Sequence, residues 1–206
     1  MTAVVLAAGP GRRMGNVPKL LLPMEGRPIL AHVLDLVEGL PVSQRVMVVG
    51  AHADLILKSL FSLPEPPSLD FGVTTLRRGG VPWQVVFNPH WEEGLGSSLR
   101  RAAEVVAGSM LVFLGDMPWV PKEAALAVLS RVGERPVAPV FCGQRGFPVY
   151  LPSSLRPSLF GLFGDVGARN LLQGCELIPV DHPGVVRDVD TPADLVGGEV
   201  PCGKAP

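Results

Sequence analysis

Short, continuously apolar runs alternate along this chain with segments whose apolar residues recur every three or four positions. Residues 4–8, 46–50, 83–87 and 110–114 are apolar at nearly every position, as strands must be when both faces of their sheet are covered. Ile29, Leu30, Val33, Leu34 and Val37 fall at helical spacing and predict a helix over 29–37. Residues 53–61, 97–106 and 122–132 read as further helices. Strands separated by helices predict an α/β, three-layer Rossmann-like fold with a mainly parallel sheet. Its loops at the strands' carboxyl ends gather where such sheets bind ligands. Chemistry is therefore expected after Ala8, Phe87 and Leu114.

Two stretches break the pattern. Residues 63–82 carry prolines that preclude a continuous helix, leaving a surface insertion or a hairpin. After Pro139 the strands, including 147–151, are punctuated by Gly and Pro, which suggests an antiparallel addition to the sheet. No linker or internal repeat stands out, so 1–206 reads as one domain. Its nucleotide-binding half would run to about residue 120 and an acceptor-binding half from 121 to 197.

Composition narrows the function classes. Of 206 residues 47% are hydrophobic and 18% charged, a globular balance. A net charge of −1 provides no field to hold a polyanion, so nucleic acid is excluded as an expected partner. No apolar run approaches membrane-span length, and a soluble, cytoplasmic protein is expected. Cys142, Cys175 and Cys202 are odd in number and far apart, suggesting neither a disulfide framework nor a zinc site.

The first loop, Leu6-Ala7-Ala8-Gly9-Pro10-Gly11-Arg12-Arg13-Met14-Gly15, is followed by Pro18-Lys19-Leu20. Glycines after a strand let backbone N–H groups close on phosphate oxygens, while Arg12, Arg13 and Lys19 neutralise charge. A P-loop fails here, because Lys19 sits between Pro18 and Leu20. The dinucleotide fingerprint fails too, its third glycine falling one place late at Gly15. A glycine-rich turn with solvated arginines satisfies the same letters.

The second loop, Asn88 to Ser98, leads into a helix with Gly96, Ser97 or Ser98 as N-cap; it is either a nucleotide contact or a plain cap. In the third, Asp116 stands at the mouth of the apolar strand 110–114. Magnesium needs only one or two carboxylates beside waters and phosphates. Alternation in Arg187-Asp188-Val189-Asp190-Thr191-Pro192-Ala193-Asp194 puts Asp188 and Asp190 on one side of a short strand, so the partner of Asp116 is expected within this segment. The competing role is that Asp190 or Thr191 caps the helix that follows.

LAAGPGRRMG…PKLL, NPHWEEGLGSSL, FLGDMPWV, GFPVYL, GDVGAR and DVDTPADL together cover nearly the whole chain. In this order they resemble the molybdenum cofactor nucleotidyltransferases, closest to the cytidylyltransferase branch. The guanylyltransferase branch usually begins its first loop LAGG, against Leu6-Ala7-Ala8-Gly9 here. The resemblance implies a nucleotide-diphospho-sugar transferase type of fold and transfer of CMP from CTP to molybdopterin with Mg2+. The product would pass to a molybdoenzyme or its chaperone.

By matching motif, Leu6, Ala7, Ala8, Gly9, Gly11, Arg12, Arg13, Lys19, Asn88, Gly94, Ser97 and Asp116 would bind the nucleotide. Arg13, Lys19 and Asp116 would be catalytic, and Asp116 and Asp190 would hold the metal. Gly146, Phe147, Pro148, Asp165, Gly167 and Arg169 would line the acceptor side. One departure stands out, since the cytidylyltransferase branch typically has histidine where Phe147 stands.

The expected chemistry is in-line attack by an acceptor phosphate on the α-phosphorus, which needs no dedicated base. Three rivals remain: a sugar- or polyol-phosphate enzyme of the same fold, a non-catalytic binder, and an NAD-dependent oxidoreductase, the last disfavoured by the late glycine. His32, His52, His90 and His182 lack metal or triad spacing and read as structural or solvated.

Overall fold

The computed structural model describes residues 1–11, 18–65, 72–162, 164 and 171–196. In chain order the elements begin with β1 (Thr2–Ala7), β2 (Pro23–Met24), β3 (Arg27–Pro28), α1 (Ile29–Glu38), β4 (Gln44–Val49) and α2 (Ala53–Phe61). There follow β5 (Val73–Arg78), β6 (Val81–Phe87), α3 (Leu95–Val105), β7 (Met110–Leu114) and α4 (Lys122–Leu129). The last are β8 (Val137–Phe141), β9 (Gln144–Arg145), β10 (Val149–Leu151), α5 (Arg156–Leu159) and β11 (Glu176–Pro179).

The main sheet runs β11-β8-β10-β7-β1-β4-β6-β5, with β9 paired to β8. The central strands β7, β1, β4 and β6 are parallel. Antiparallel β10 is inserted between β7 and β8, and antiparallel β5 forms one edge. The expected mainly parallel α/β architecture with an antiparallel addition is what the chain adopts. The 63–82 stretch, expected as a surface insertion or a hairpin, contains half of a hairpin: β5 returns on β6 through Gly79 and Gly80, both at positive φ. Residues 66–71 of that stretch lie outside the described ones.

Strand alternation divides the core into two layers. Ala3, Val5 and Ala7 of β1 pack with Leu30 and Leu34 of α1, Ile56 and Leu57 of α2, and Val128 of α4. Val4 and Leu6 face the other way, against Leu99, Ala102 and Ala103 of α3 and Leu159 of α5. Each large aliphatic side chain so buried contributes about 1.5–3 kcal/mol. Polar bonds fasten the first layer at its rim. Trp83 Nε1 donates to Glu38 at 2.9 Å, and Arg78 pairs with Glu38 at 2.7 Å and Asp35 at 2.6 Å.

Two local expectations are corrected. The helix after the second loop starts at Leu95 with Gly94 as N-cap, because Gly94 at φ 95° turns the chain before the serines. Cys142, at the turn between β8 and β9, is disulfide-bonded, whereas Cys175 is free. Spacing along the chain carries no information on which thiols the fold brings together. Among the described residues no helix is long and apolar enough to cross a membrane.

Candidate active site

Parallel register brings the three predicted loops to one end of the sheet. Leu6 of β1 lies opposite Leu114 of β7 and Val48 of β4, so the segments after these strands emerge side by side. Gly115 N–H donates to the Leu6 carbonyl at 2.9 Å, tying the third loop to the first. At Gly50 a side chain is barred: its Cβ would lie 2.7 Å from the Ala8 carbonyl and 2.8 Å from Trp91. His52 supports the glycine loop from behind, its Nε2 lying 3.1 Å from the Pro10 carbonyl.

The resulting cleft has a volume of about 460 Å³, within the range of small-ligand sites. Leu6 to Gly11, Lys19, Trp91 to Leu95, Ser98, Asp116, Gly164 and Asp190 are among its lining residues. Asn88 and Ser97 sit beneath this wall instead. Asn88 is 1% exposed, and its amide donates to the hydroxyls of Ser97 at 2.9 Å and Ser98 at 3.1 Å. Ser97 in turn donates to the Gly94 carbonyl at 2.8 Å, so this pair braces the turn into α3. Arg12, Arg13, Asp165, Gly167 and Arg169 lie outside the described residues.

Charge concentrates at one corner. Lys19 rides on the single 3-10 turn Lys19–Leu21, whose buried Leu20 anchors it to the core. Its ammonium lies 2.7 Å from Asp116 Oδ2 and 3.3 Å from Asp190 Oδ1. Burial works to lower the Lys19 pKa, but the Asp116 and Asp190 carboxylates outweigh it and the net shift is upward. Lys19 is therefore a fixed cation at neutral pH.

The segment carrying Asp188 and Asp190 is not a strand. Its alternation survives because Val189 is fully buried with Met24 and Ile29, while its N–H donates to the Asp116 carbonyl at 2.9 Å. That bond and that anchor turn both flanking aspartates to the side of Asp116. Carboxylate oxygens of Asp116, Asp188 and Asp190 lie within 4.8 Å of one another. Desolvation first, then Asp116 and Asp190, hold the Asp188 carboxyl above its usual range. Three converging carboxylates, two of them paired with one ammonium, are a donor set suited to a hard divalent cation. Asp188 completes a set for which the sequence reading named only Asp116 and Asp190.

Gly146, Phe147 and Pro148 are not among the residues lining the cleft; Gly146 packs so closely that a Cβ would lie 2.0 Å from the Val185 carbonyl oxygen. Phe147 N–H donates to that same oxygen at 2.7 Å. The Phe147 side chain joins Leu6, Leu95, Leu99, Val112 and Leu171 around a small apolar cavity of about 40 Å³. Leu6 and Leu95 border both this cavity and the main cleft.

Residues 3–181 match the model of the MobA-like NTP transferase domain. The chain belongs to that family. As a MobA-like NTP transferase its activity is, in coarse terms, nucleotidyl transfer. It is 30% identical to nicotine blue oxidoreductase of Paenarthrobacter nicotinovorans, over 93% of this chain and 92% of that one. Among solved structures, Rv0371c from Mycobacterium tuberculosis H37Rv superposes with a TM-score of 0.74 at 26% identity, covering 94% of each chain. A second structure of Rv0371c, a complex with manganese, has a TM-score of 0.65 at 23% identity over 87% of each chain. The fold of this MobA-like transferase is thus shared with a protein whose structure has been determined in complex with manganese.

Proposed function

We propose that this MobA-like transferase moves CMP from CTP onto the phosphate of molybdopterin, with Mg2+ at Asp116 and Asp190. The observation that carries the proposal is Lys19 set between Asp116 and Asp190 at the wall of a cleft floored by the glycine loop. A triphosphate laid along Leu6 to Gly11 would meet backbone N–H groups on one side and the Lys19 ammonium on the other. An acceptor phosphate oxygen attacks the α-phosphorus, the bond to the β-phosphate bridging oxygen breaks, and pyrophosphate leaves. An ionised phosphate is already nucleophilic, so positioning and charge stabilisation supply the rate. A divalent cation, when bound, neutralises charge on the phosphates.

By the sequence resemblance, Arg13 adds to Lys19 on the phosphates. Gly146, Phe147 and Pro148, with Asp165, Gly167 and Arg169, receive the acceptor. CTP is favoured by the Ala8 of the first loop, and a cytoplasmic site of action accompanies this role.

The reaction is tested by pyrophosphate release with Mg2+ and each of the four NTPs, with and without molybdopterin. Release from CTP only in the presence of molybdopterin is expected. Release with a sugar or polyol phosphate instead would replace the acceptor and keep the chemistry.

A second activity is favoured by one observation, the near full-length similarity to a protein named nicotine blue oxidoreductase. On that alternative, a reduced nicotinamide dinucleotide would lie along the same loop, and an aromatic substrate against Phe147. Hydride transfer makes no use of a carboxylate triad. Dinucleotide oxidation that persists in Asp116→Ala, with no pyrophosphate released from any NTP, would select this activity.

A further inference from the structure

Asp194 stands outside the cleft wall, yet three donors converge on its Oδ2. They are the N–H of Asp190 at 3.0 Å, the N–H of Thr191 at 2.6 Å and the Thr191 hydroxyl at 2.9 Å. This is one half of a capping box at the 3-10 helix Pro192–Val196: Asp194, three residues on, reaches back to Thr191, while the Asp194 N–H donates to the Thr191 carbonyl at 3.1 Å rather than to its hydroxyl. An aspartate just before a helix ordinarily turns its own side chain onto the first N–H groups. Here Asp194 takes up the donors of residues 190 and 191, and the Asp190 carboxylate faces Lys19 instead.

The turn is buttressed from outside. Arg187 Nη2 donates to the Asp194 carbonyl at 2.9 Å, and its guanidinium stacks over Trp119 at 3.8 Å from the ring centre. The Asp190 backbone is thereby tied on both sides, through Val189 to Asp116 and through its own N–H to Asp194.

We infer that Asp194 is a positioning residue, whose capping of the 190–194 turn holds the Asp190 carboxylate opposite Asp116 to receive a divalent cation. The inference rests on the metal-assisted transfer proposed above. It assigns Asp194 no contact with substrate. Because all three donors meet one oxygen, asparagine can keep the acceptor and alanine cannot.

The test compares full-length wild type, Asp194→Ala and Asp194→Asn without nucleotide. Mn2+ affinity is read by the free-ion electron paramagnetic resonance signal, and amide exchange is followed at residues 190 and 191. Asp194→Ala is expected to bind Mn2+ about tenfold or more weakly, the usual effect of losing an outer partner of a metal ligand. Both amides should lose protection while the thermal midpoint stays near that of wild type. Asp194→Asn should keep both protections and bind within about threefold of wild type. Wild-type Mn2+ affinity in Asp194→Ala, or unchanged protection of both amides, would overturn the positioning role while leaving the transfer proposal intact. A wild-type chain that bound no Mn2+ at all would overturn the metal proposal and this inference with it.

Discussion

Lys19 Nζ lies 2.7 Å from Asp116 Oδ2, joining residues 97 positions apart, and the same ammonium reaches Asp190 at 3.3 Å. A lysine so placed has two consequences that pull in opposite directions. It keeps mutually repelling carboxylates together, and its charge opposes the entry of a second cation. The pair lies at the edge of the protein interior, where unit charges about 4 Å apart interact by ~4 kcal/mol with solvent screening already included.

Lys19→Met should therefore separate binding from turnover. Nucleotide-free Mn2+ affinity is expected to rise roughly tenfold, equivalent to about 1.4 kcal/mol. Pyrophosphate release should fall about 10²–10³-fold, the effect of removing one preorganised charge donor. Titration calorimetry with Mn2+ and a pyrophosphate assay check the two halves. Weaker Mn2+ binding in the variant would show that Lys19 organises the carboxylates more than it opposes the ion.

Asp116→Ala removes the residue on which both Lys19 and the 188–190 segment converge. Its side chain is partly exposed and lies outside the apolar layers, so the thermal midpoint should move by no more than a few degrees. Turnover should drop by about 10³-fold through lost charge stabilisation. The backbone bond from Val189 to the Asp116 carbonyl is independent of the side chain and should persist. Full activity in the variant would remove Asp116 from the reaction.

The sheet was legible because the central parts of β1, β4, β6 and β7 are buried on both faces and so are apolar, over residues 3–7, 46–49, 85–86 and 110–113. The carboxylates were legible for a different reason. Asp116 follows the end of such a strand by two residues, and the spacing of Asp188 and Asp190 needs only one buried residue between them. Asn88 and Ser97 show the limit of this reasoning. Polar residues after a strand suggest a ligand site, but these two satisfy each other beneath the wall, which depends on a contact across nine residues. The capping role of Asp194 was hidden because Asp190 and Thr191 offer equally suitable side chains, and only the fold decides which carboxylate closes the turn.

Phe147 gives a prediction about selectivity. Its surroundings are apolar, so Phe147→His places a polar ring beside Leu99, Val112 and Leu171, costing about 1–3 kcal/mol of stability unless the imidazole finds a partner. A histidine able to reach an acceptor group should strengthen acceptor binding up to roughly tenfold through a charge-assisted hydrogen bond. The KM for CTP should not change, since the glycine loop and Lys19 are untouched. Separate titrations of acceptor and CTP read this out. A change confined to the KM for CTP would place Phe147 on the nucleotide side.

Far from the cleft, Asp35 gives the pH dependence its sign. Burial works to raise its carboxyl pKa, but hydrogen bonds and charge from Arg27 and Arg78 outweigh it and hold the group below its ordinary value of 3.8. A depressed pKa in the folded state means that the unfolded chain binds the proton more readily. Stability from this group is thus fully present above about pH 4 and is lost as pH falls through the lower folded value. The Asp35 side chain is 39% exposed, so its two arginine partners contribute only about 1 kcal/mol after solvent screening. Asp35→Asn should lower the thermal midpoint by roughly 2–4 °C at pH 7, and 1 M NaCl should narrow that gap. As pH falls below 4 the gap should close, because wild type then carries a neutral carboxyl at the same place. Melting curves at pH 7, 5, 4 and 3 measure this, and a gap that stayed constant to pH 3 would mean that asparagine disturbs packing rather than charge.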